Sequence, residues 1–364
     1  MVESQDWSMV GDRIRAARVA AGLTQGDLGE RIGLDRTMVA KIEAGTRRID
    51  ALELVRLSSA LGLSMAHFLE PPPAVLSRRS VTLTDDTDSE VARESAALEA
   101  ALAEWMRDLR QLIDSGHLAL PPLLRYPQPV ASVADARLAA GWVRRQLDIG
   151  DGPIESMLSL CERAGQFAVV TGVKGDGASA VDGALAAAVI SVRGDPGRRR
   201  ATAAHELGHL VLGDEYSSDL GVHASRADRE AVIDAFAAEL LVPVAAFAAD
   251  AAASAPIARD RLLQVAARYR ASWSLTCRQA EAAGVPPVPR RWLQSAPTRA
   301  EFLEALGFTP PPDLESVRVP PAYAKAVLRA WRDDLITRAR TIELMRGQLQ
   351  DQDLPADPDA DLAP

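Results

Sequence analysis

Long apolar runs, cysteine, histidine and positive charge are all in short supply in this chain of 364 residues. No stretch approaches the roughly 20 consecutive apolar residues that a bilayer demands, which excludes a membrane-spanning role. Two cysteines, Cys161 and Cys277, stand 116 positions apart and cannot make a disulfide framework. The first residues lack a charged leader followed by an apolar stretch, so the expected setting is the cytoplasm, with both thiols free. Histidine occurs five times, as His67, His117, His205, His209 and His223, which leaves a metal few places to sit. Lysine and arginine total 41 against 50 acidic residues, and the formal charge of -9 argues against a surface coated for indiscriminate nucleic-acid binding.

What is present is 48% hydrophobic and 25% charged residues, the make-up of a globular chain too long for one core, so two or three domains are expected. Residues 1–70 form the first: short amphipathic helical segments stopped by glycines and closed by Pro71, Pro72 and Pro73. Region 71–130 reads as a linker, polar and acidic at first, with one long apolar-periodic helix over 91–113 acting as a spacer or packing arm. Residues 131–250 mix helices at 136–147 and 154–164 with β-like runs at 167–173 and 188–192 and then two apolar helical stretches, an α+β core. A helical C-terminal region covers 251–350, including a small helix-turn-helix pair at 258–284. Residues 351–364 are acidic, lack aromatics and are expected to be disordered.

In the first domain a helix over 10–21 ends at Gly22, Thr24 caps a second helix, and Asp35 caps a third over 36–44 that Gly45 ends. The turn between the last two is tight, and the third helix carries Arg36, Thr37 and Lys41 on one side, where it could lie in a major groove. Net charge counted over the whole chain misleads here. Residues 31–48 hold five basic side chains (Arg31, Arg36, Lys41, Arg47, Arg48) against Asp35 and Glu43, a local excess that phosphates favour. The sequence LTQGDLGERIGLDRTMVAKIEAGTRRID closely resembles the XRE/Cro-type helix-turn-helix family. That resemblance implies that Gln25 opens helix two against the DNA backbone. It further implies that Arg36, Thr37 and Lys41 face bases or phosphates, that Arg47 and Arg48 approach a phosphate, and that the protein binds a double-stranded operator as a homodimer.

The second domain contains His205-Glu206-Leu207-Gly208-His209, an H-E-x-x-H on an apolar-periodic helix. A spacing of four puts both imidazoles on one helix face, where their nitrogens can take one Zn²⁺, and Glu206 can project toward a metal-bound water as general base. Catalytic zinc needs a third protein ligand. Glu230, 21 residues beyond His209, is favoured, with Asp234 four positions on placed to orient a histidine from behind. Glu239 and His223 are the rivals. The longer H-E-x-x-H-x-x-G-x-x-H pattern fails, because Leu212 holds the glycine position and Glu215 that of the last histidine.

HELGH, the downstream helix ending FAAELLVP and the stretch from about Asp135, with Val181 to Gly183 reading VDG, resemble the ImmA/IrrE family of metallopeptidases over roughly 131–250. The resemblance implies a zincin-like fold, His205, His209 and Glu230 as zinc ligands, Glu206 as catalytic acid/base, and an XRE-type repressor as protein substrate; Mn²⁺ is an alternative ion. The expected architecture is therefore mainly α with a small α+β part: a five-helix DNA-binding domain, a zincin-like metallopeptidase domain and a helical C-terminal region. The expected function is a regulator that cleaves a repressor or itself. The reading from another class is a non-proteolytic transcription factor whose metal domain senses a ligand or dimerises.

Overall fold

The computed structural model describes residues 7–63, 65–69, 75–79, 90–213, 223–253 and 256–355. Five helices open the chain: α1 (Trp7–Ala20), α2 (Gln25–Ile32), α3 (Arg36–Glu43), α4 (Ala51–Leu61) and α5 (Met65–Leu69). Their starts follow local chemistry. Thr24 and Asp50 make reciprocal capping boxes with Asp27 and Glu53, and the Asp35 carboxylate accepts from the Met38 amide at 2.8 Å. Val10, Ile14, Leu28, Ile32, Val39, Ile42, Leu57 and Phe68 form a core that these five helices keep to themselves.

The strand β1 (Val75–Arg79) and the long helix α6 (Glu90–Asp114) come next, followed by α7 (Val133–Gln146) and α8 (Met157–Arg163). Strands β2 (Gln166–Thr171), β3 (Gly177–Asp182) and β4 (Leu185–Ser191) lead into α9 (Pro196–Leu212) and α10 (His223–Leu241). Then come α11 (Ala248–Ala252), α12 (Arg259–Tyr269), α13 (Trp273–Ala282), α14 (Arg290–Gln294), α15 (Arg299–Leu306), α16 (Pro321–Arg332) and α17 (Arg338–Leu344). The protein is thus mainly α with one small sheet, and no single helix among the described residues is long and apolar enough to cross a membrane.

The sheet has four strands in the order β1-β3-β4-β2, with β2 and β4 parallel and the other pairs antiparallel. Both faces are covered, and the period of two sorts the side chains between them. Ala186, Ala188 and Ile190 of β4 join the core shared with α8, α9 and α10, whereas Leu185, Ala187 and Val189 join the core shared with α6 and α16.

Several expectations need correcting. Of the two roles expected for the long helix, spacer or packing arm, its burial fits the second: Leu98, Leu102, Trp105, Met106 and Leu109 are buried against the sheet, and the Trp105 indole N–H donates to the Phe167 carbonyl at 2.8 Å. Region 71–130 therefore does more than link, because a helix with such an apolar stripe must bury it. The C-terminal region returns to the same place, with the Tyr323 ring 4.5 Å from that of Trp105 and Arg340 and Arg346 both paired with the buried Asp108. Over 331–344, Ile336 and Leu344 are core while Leu335 is exposed. Residues 351–355 are ordered rather than frayed, since Arg338 donates to Asp351 at 2.6 Å and to the Pro355 carbonyl at 2.6 Å and Leu354 is buried. Residues 356–364 and the acidic stretch 80–89 lie outside the described residues.

Candidate metal centre and nucleic-acid face

Helix α9 is built to hold one face rigid. The Asp195 side chain accepts from the amides of Gly197 (2.8 Å) and Arg198 (3.2 Å), and Pro196 takes the first turn, where its missing N–H costs nothing. Thirteen of the helix's 17 residues are buried, among them His205, Glu206 and His209, so these polar groups stand in the interior and require partners. Helix α10 crosses close because Gly208 carries no side chain: a Cβ there would sit 3.0 Å from Ile233 and Phe236.

That crossing assembles the predicted ligands. One donor atom each from His205, His209 and Glu230 lies within 4.8 Å of the others. The facing Nε2 atoms of His205 and His209 are 3.1 Å apart, and Glu230 Oε2 is 3.2 Å from His205 Nε2. Donors that share one tetrahedral ion at roughly 2.1 Å stand about 3.4 Å apart, so the set suits zinc in both chemistry and spacing. On the opposite edge of its ring, His205 Nδ1–H donates to Asp234 Oδ1 at 2.9 Å, which fixes the tautomer whose Nε2 carries a lone pair for a metal. Partial burial pushes the Glu230 carboxyl up, but the imidazoles of His205 and His209 outweigh it and hold the group below its ordinary value, ready as a carboxylate.

Of the rivals, Glu239 points elsewhere. Its carboxylate accepts from the Val244 amide (3.1 Å) and from Gln279 Nε2 (3.1 Å), and burial raises its pKa. The His223 side chain lies outside the described residues, as does Glu215.

In the N-terminal domain, Arg36, Thr37, Lys41 and Arg48 are exposed, and among the described residues the three cations make no ion pair. Two of the expected contacts are otherwise engaged. Gln25 donates to Glu43 at 2.8 Å, and Glu43 is also held by Arg18 at 2.5 Å, a buried junction that ties α1, α2 and α3 together. Arg47 clasps Glu53 through two bonds of 2.6 and 2.8 Å, so its guanidinium braces α4 instead of standing out toward a phosphate. The sequence showed the charge of Arg47 but not the carboxylate six positions on that claims it.

Comparison with known families agrees with both halves. Residues 14–68 match the family described as helix-turn-helix, and residues 187–281 match the family described as the IrrE N-terminal-like domain. The chain joins an XRE-type helix-turn-helix domain to an IrrE-like domain. Two curated relatives share the first part: uncharacterized HTH-type transcriptional regulators of Sinorhizobium medicae (strain WSM419) and Rhizobium meliloti (strain 1021), each 38% identical over 64 residues. That segment is 18% of this chain and 46% of each relative, so the chain spans about half the length of the curated relatives it matches. No solved structure matches it significantly.

The IrrE-like match continues through α13, past the boundary at 250 read from the sequence. Packing explains this: Leu262, Val265, Ala266, Leu275 and Cys277 of α12 and α13 are buried in the same core as α9 and α10. Both cysteines are structural, since burial pushes the Cys161 thiol up to about 12 and that of Cys277 up to about 11.

One residue of the IrrE-like domain escaped the sequence reading altogether. Ser179, on β3 and fully buried, donates its hydroxyl to Glu206 Oε2 at 2.7 Å. The other carboxylate oxygen, Oε1, is buried without a hydrogen-bond partner among the described residues. Gly177 keeps the space beside it open, for a Cβ there would come within 3.4 Å of Oε1 and collide with Thr202. Glu206 is thus held by one oxygen and presents the other.

Proposed function

We propose that the protein is a DNA-binding transcriptional regulator whose IrrE-like domain is a zinc-dependent endopeptidase. It cleaves an XRE-type repressor or its own chain and so relieves repression in a stress or mobile-element response. The observation that carries this reading is Glu206 Oε1, buried without a hydrogen-bond partner among the described residues, on the helix whose His205 and His209 stand together with Glu230. A buried carboxylate oxygen left unsatisfied costs about 1–3 kcal/mol or more, an expense that a site serving only to bind metal has no reason to bear.

His205, His209 and Glu230 would hold the ion, Zn²⁺ or in its place Mn²⁺, with Asp234 setting the His205 ring. When bound, the ion supplies Lewis-acid polarisation and lowers the pKa of water. Glu206 takes a proton from the attacking water at Oε1 and returns it to the departing amine nitrogen, while Ser179 keeps the carboxylate from rotating. In the N-terminal domain, Arg36, Thr37, Lys41 and Arg48 meet the operator. The paired half-sites typical of such heads suit a homodimer.

The test is co-expression of the chain with XRE-type proteins and mapping of the fragments by mass spectrometry. Cleavage should occur with the unsubstituted chain and vanish with Glu206→Gln while bound metal stays. Equal cleavage by both would refute the peptidase, and no cleavage of any protein by either would leave a metal-binding transcription factor in its place.

A further inference from the structure

The edge of the sheet beside Glu206 is already taken. Ser179, which donates to Glu206, and Gly177, where an added Cβ would stand 3.4 Å from Glu206 Oε1, put that strand alongside the proton-handling carboxylate. Whatever chain lies next to β3 passes the same place about 4.8 Å away. In the structure that neighbour is β1: antiparallel to β3, with Ser77 opposite Ser179 and Arg79 opposite Gly177, and in contact with α9. The segment comes from the polypeptide between the DNA-binding domain and the IrrE-like domain. It is five residues long, and its register slips between Val75 and Ser77, which breaks the ladder of hydrogen bonds.

An enzyme that cuts an extended peptide must grip backbone, and an exposed strand edge does so through main-chain hydrogen bonds alone. We infer that the outer edge of β3 is the peptide-docking rail of the metal centre and that residues 75–79 occupy it as an intramolecular, substrate-like strand, which an incoming extended peptide displaces. The inference rests on the proposed reading of Glu206 as a group that works on peptides. It adds regulation to that reading: the rail is filled from within, so docking in trans is weakened by the fraction of time β1 is seated. A short, bulged edge strand suits an occupant that must leave.

Binding can be read without cleavage. A fluorescent peptide of residues 74–80 is titrated into full-length Glu206→Gln and into the same chain carrying Ser77→Pro and Arg78→Pro. Neighbouring strand residues direct their N–H groups to opposite sides, so one of the two prolines removes a donor facing β3. With the strand released, the peptide should bind tighter by about tenfold or more, as expected when a seated competitor is lost. Equal affinity in the two chains, or no binding to a released chain that keeps its circular dichroism and its metal, overturns the inference.

A second measurement covers a released chain that does not fold. In full-length Glu206→Gln, millimolar peptide should speed hydrogen exchange at 75–79 and leave 177–182 protected; unchanged exchange at 75–79 overturns the inference as well. Failure of the unsubstituted chain to cleave anything would refute the peptidase and leave strand exchange intact. Normal cleavage without strand exchange would do the reverse.

Discussion

Two histidines four positions apart announce themselves, because a helix of 3.6 residues per turn places them on one face wherever it packs. Glu230 and Asp234 are legible for the same reason, on a second helix whose crossing only the fold can supply. Ser179 is not legible: it lies 27 positions before Glu206, in a strand of small residues, and sheet and helix must both form before the two meet. Its contribution can be isolated. Ser179→Ala leaves Glu206 without its anchor, and we expect turnover to fall about 10- to 100-fold, worth roughly 1.4–2.8 kcal/mol of barrier, with metal content unchanged. Atomic absorption beside a cleavage assay checks this, and a parallel loss of metal would show that Ser179 supports the ligands rather than the base. Arg47 is the opposite case, plain in the sequence as a cation, while its pairing with Glu53 six positions on appears only in the fold.

At the scale of elements, helices with side-chain caps could be read and strands of small residues could not. Thr24, Asp35, Asp50 and Ser132 all cap where a helix begins. The sequence GASAVD of β3 lacks the β-branched run that marks a strand, because α6 on one face and α9 on the other leave room for little beyond alanine and serine. The long helix was legible and its role stayed open between spacer and packing arm, since amphipathic periodicity reveals that a face is buried and not against what. Trp105→Ala tests the role: removing a fully buried indole that also satisfies the Phe167 carbonyl should cost about 3–5 kcal/mol in urea unfolding, and a loss below about 1 kcal/mol would return α6 to the status of a detachable arm.

The caps carry a pH prediction. Hydrogen bonds from Thr24 lower the Asp27 pKa, hydrogen bonds from Thr37 and Met38 lower that of Asp35, and the Arg47 guanidinium lowers that of Glu53. Groups with depressed folded-state values add stability that is present above their ordinary pKa and is lost as pH falls through the depressed one. The first domain should therefore lose helix cooperatively as pH drops below about 4. Far-ultraviolet circular dichroism of the full chain would reveal this as a transition reduced in Glu53→Gln, which lacks one of the three carboxylates, and unchanged midpoint and amplitude in that variant would refute the Glu53 share.

For the whole molecule, the decisive feature is that the N-terminal five helices keep a core of their own, while α6 and the C-terminal helices share theirs with the sheet. Net charge belongs to this scale too: -9 spread over the chain conceals a head whose third helix offers exposed cations, Arg36 and Lys41, with no ion pair among the described residues. Arg36→Ala with Lys41→Ala should weaken operator binding and flatten its salt dependence by a slope of roughly two, the counterions that two phosphate contacts release. Arg47→Ala should leave the slope alone and lower the melting temperature, because its partner is Glu53. Separate cores also predict what a chelator does. Stripping the ion removes whatever stability its binding adds to the body through His205, His209 and Glu230, so cleavage should stop and the body's melting transition should move down. The head, whose core contains none of these residues, should bind its operator with unchanged affinity in the same chelator-treated sample. A tenfold or greater change in DNA affinity on chelation, about 1.4 kcal/mol, would mean that metal occupancy reaches the recognition helix through the contacts of α1 and α5 with α6, and that the two domains work as one switch.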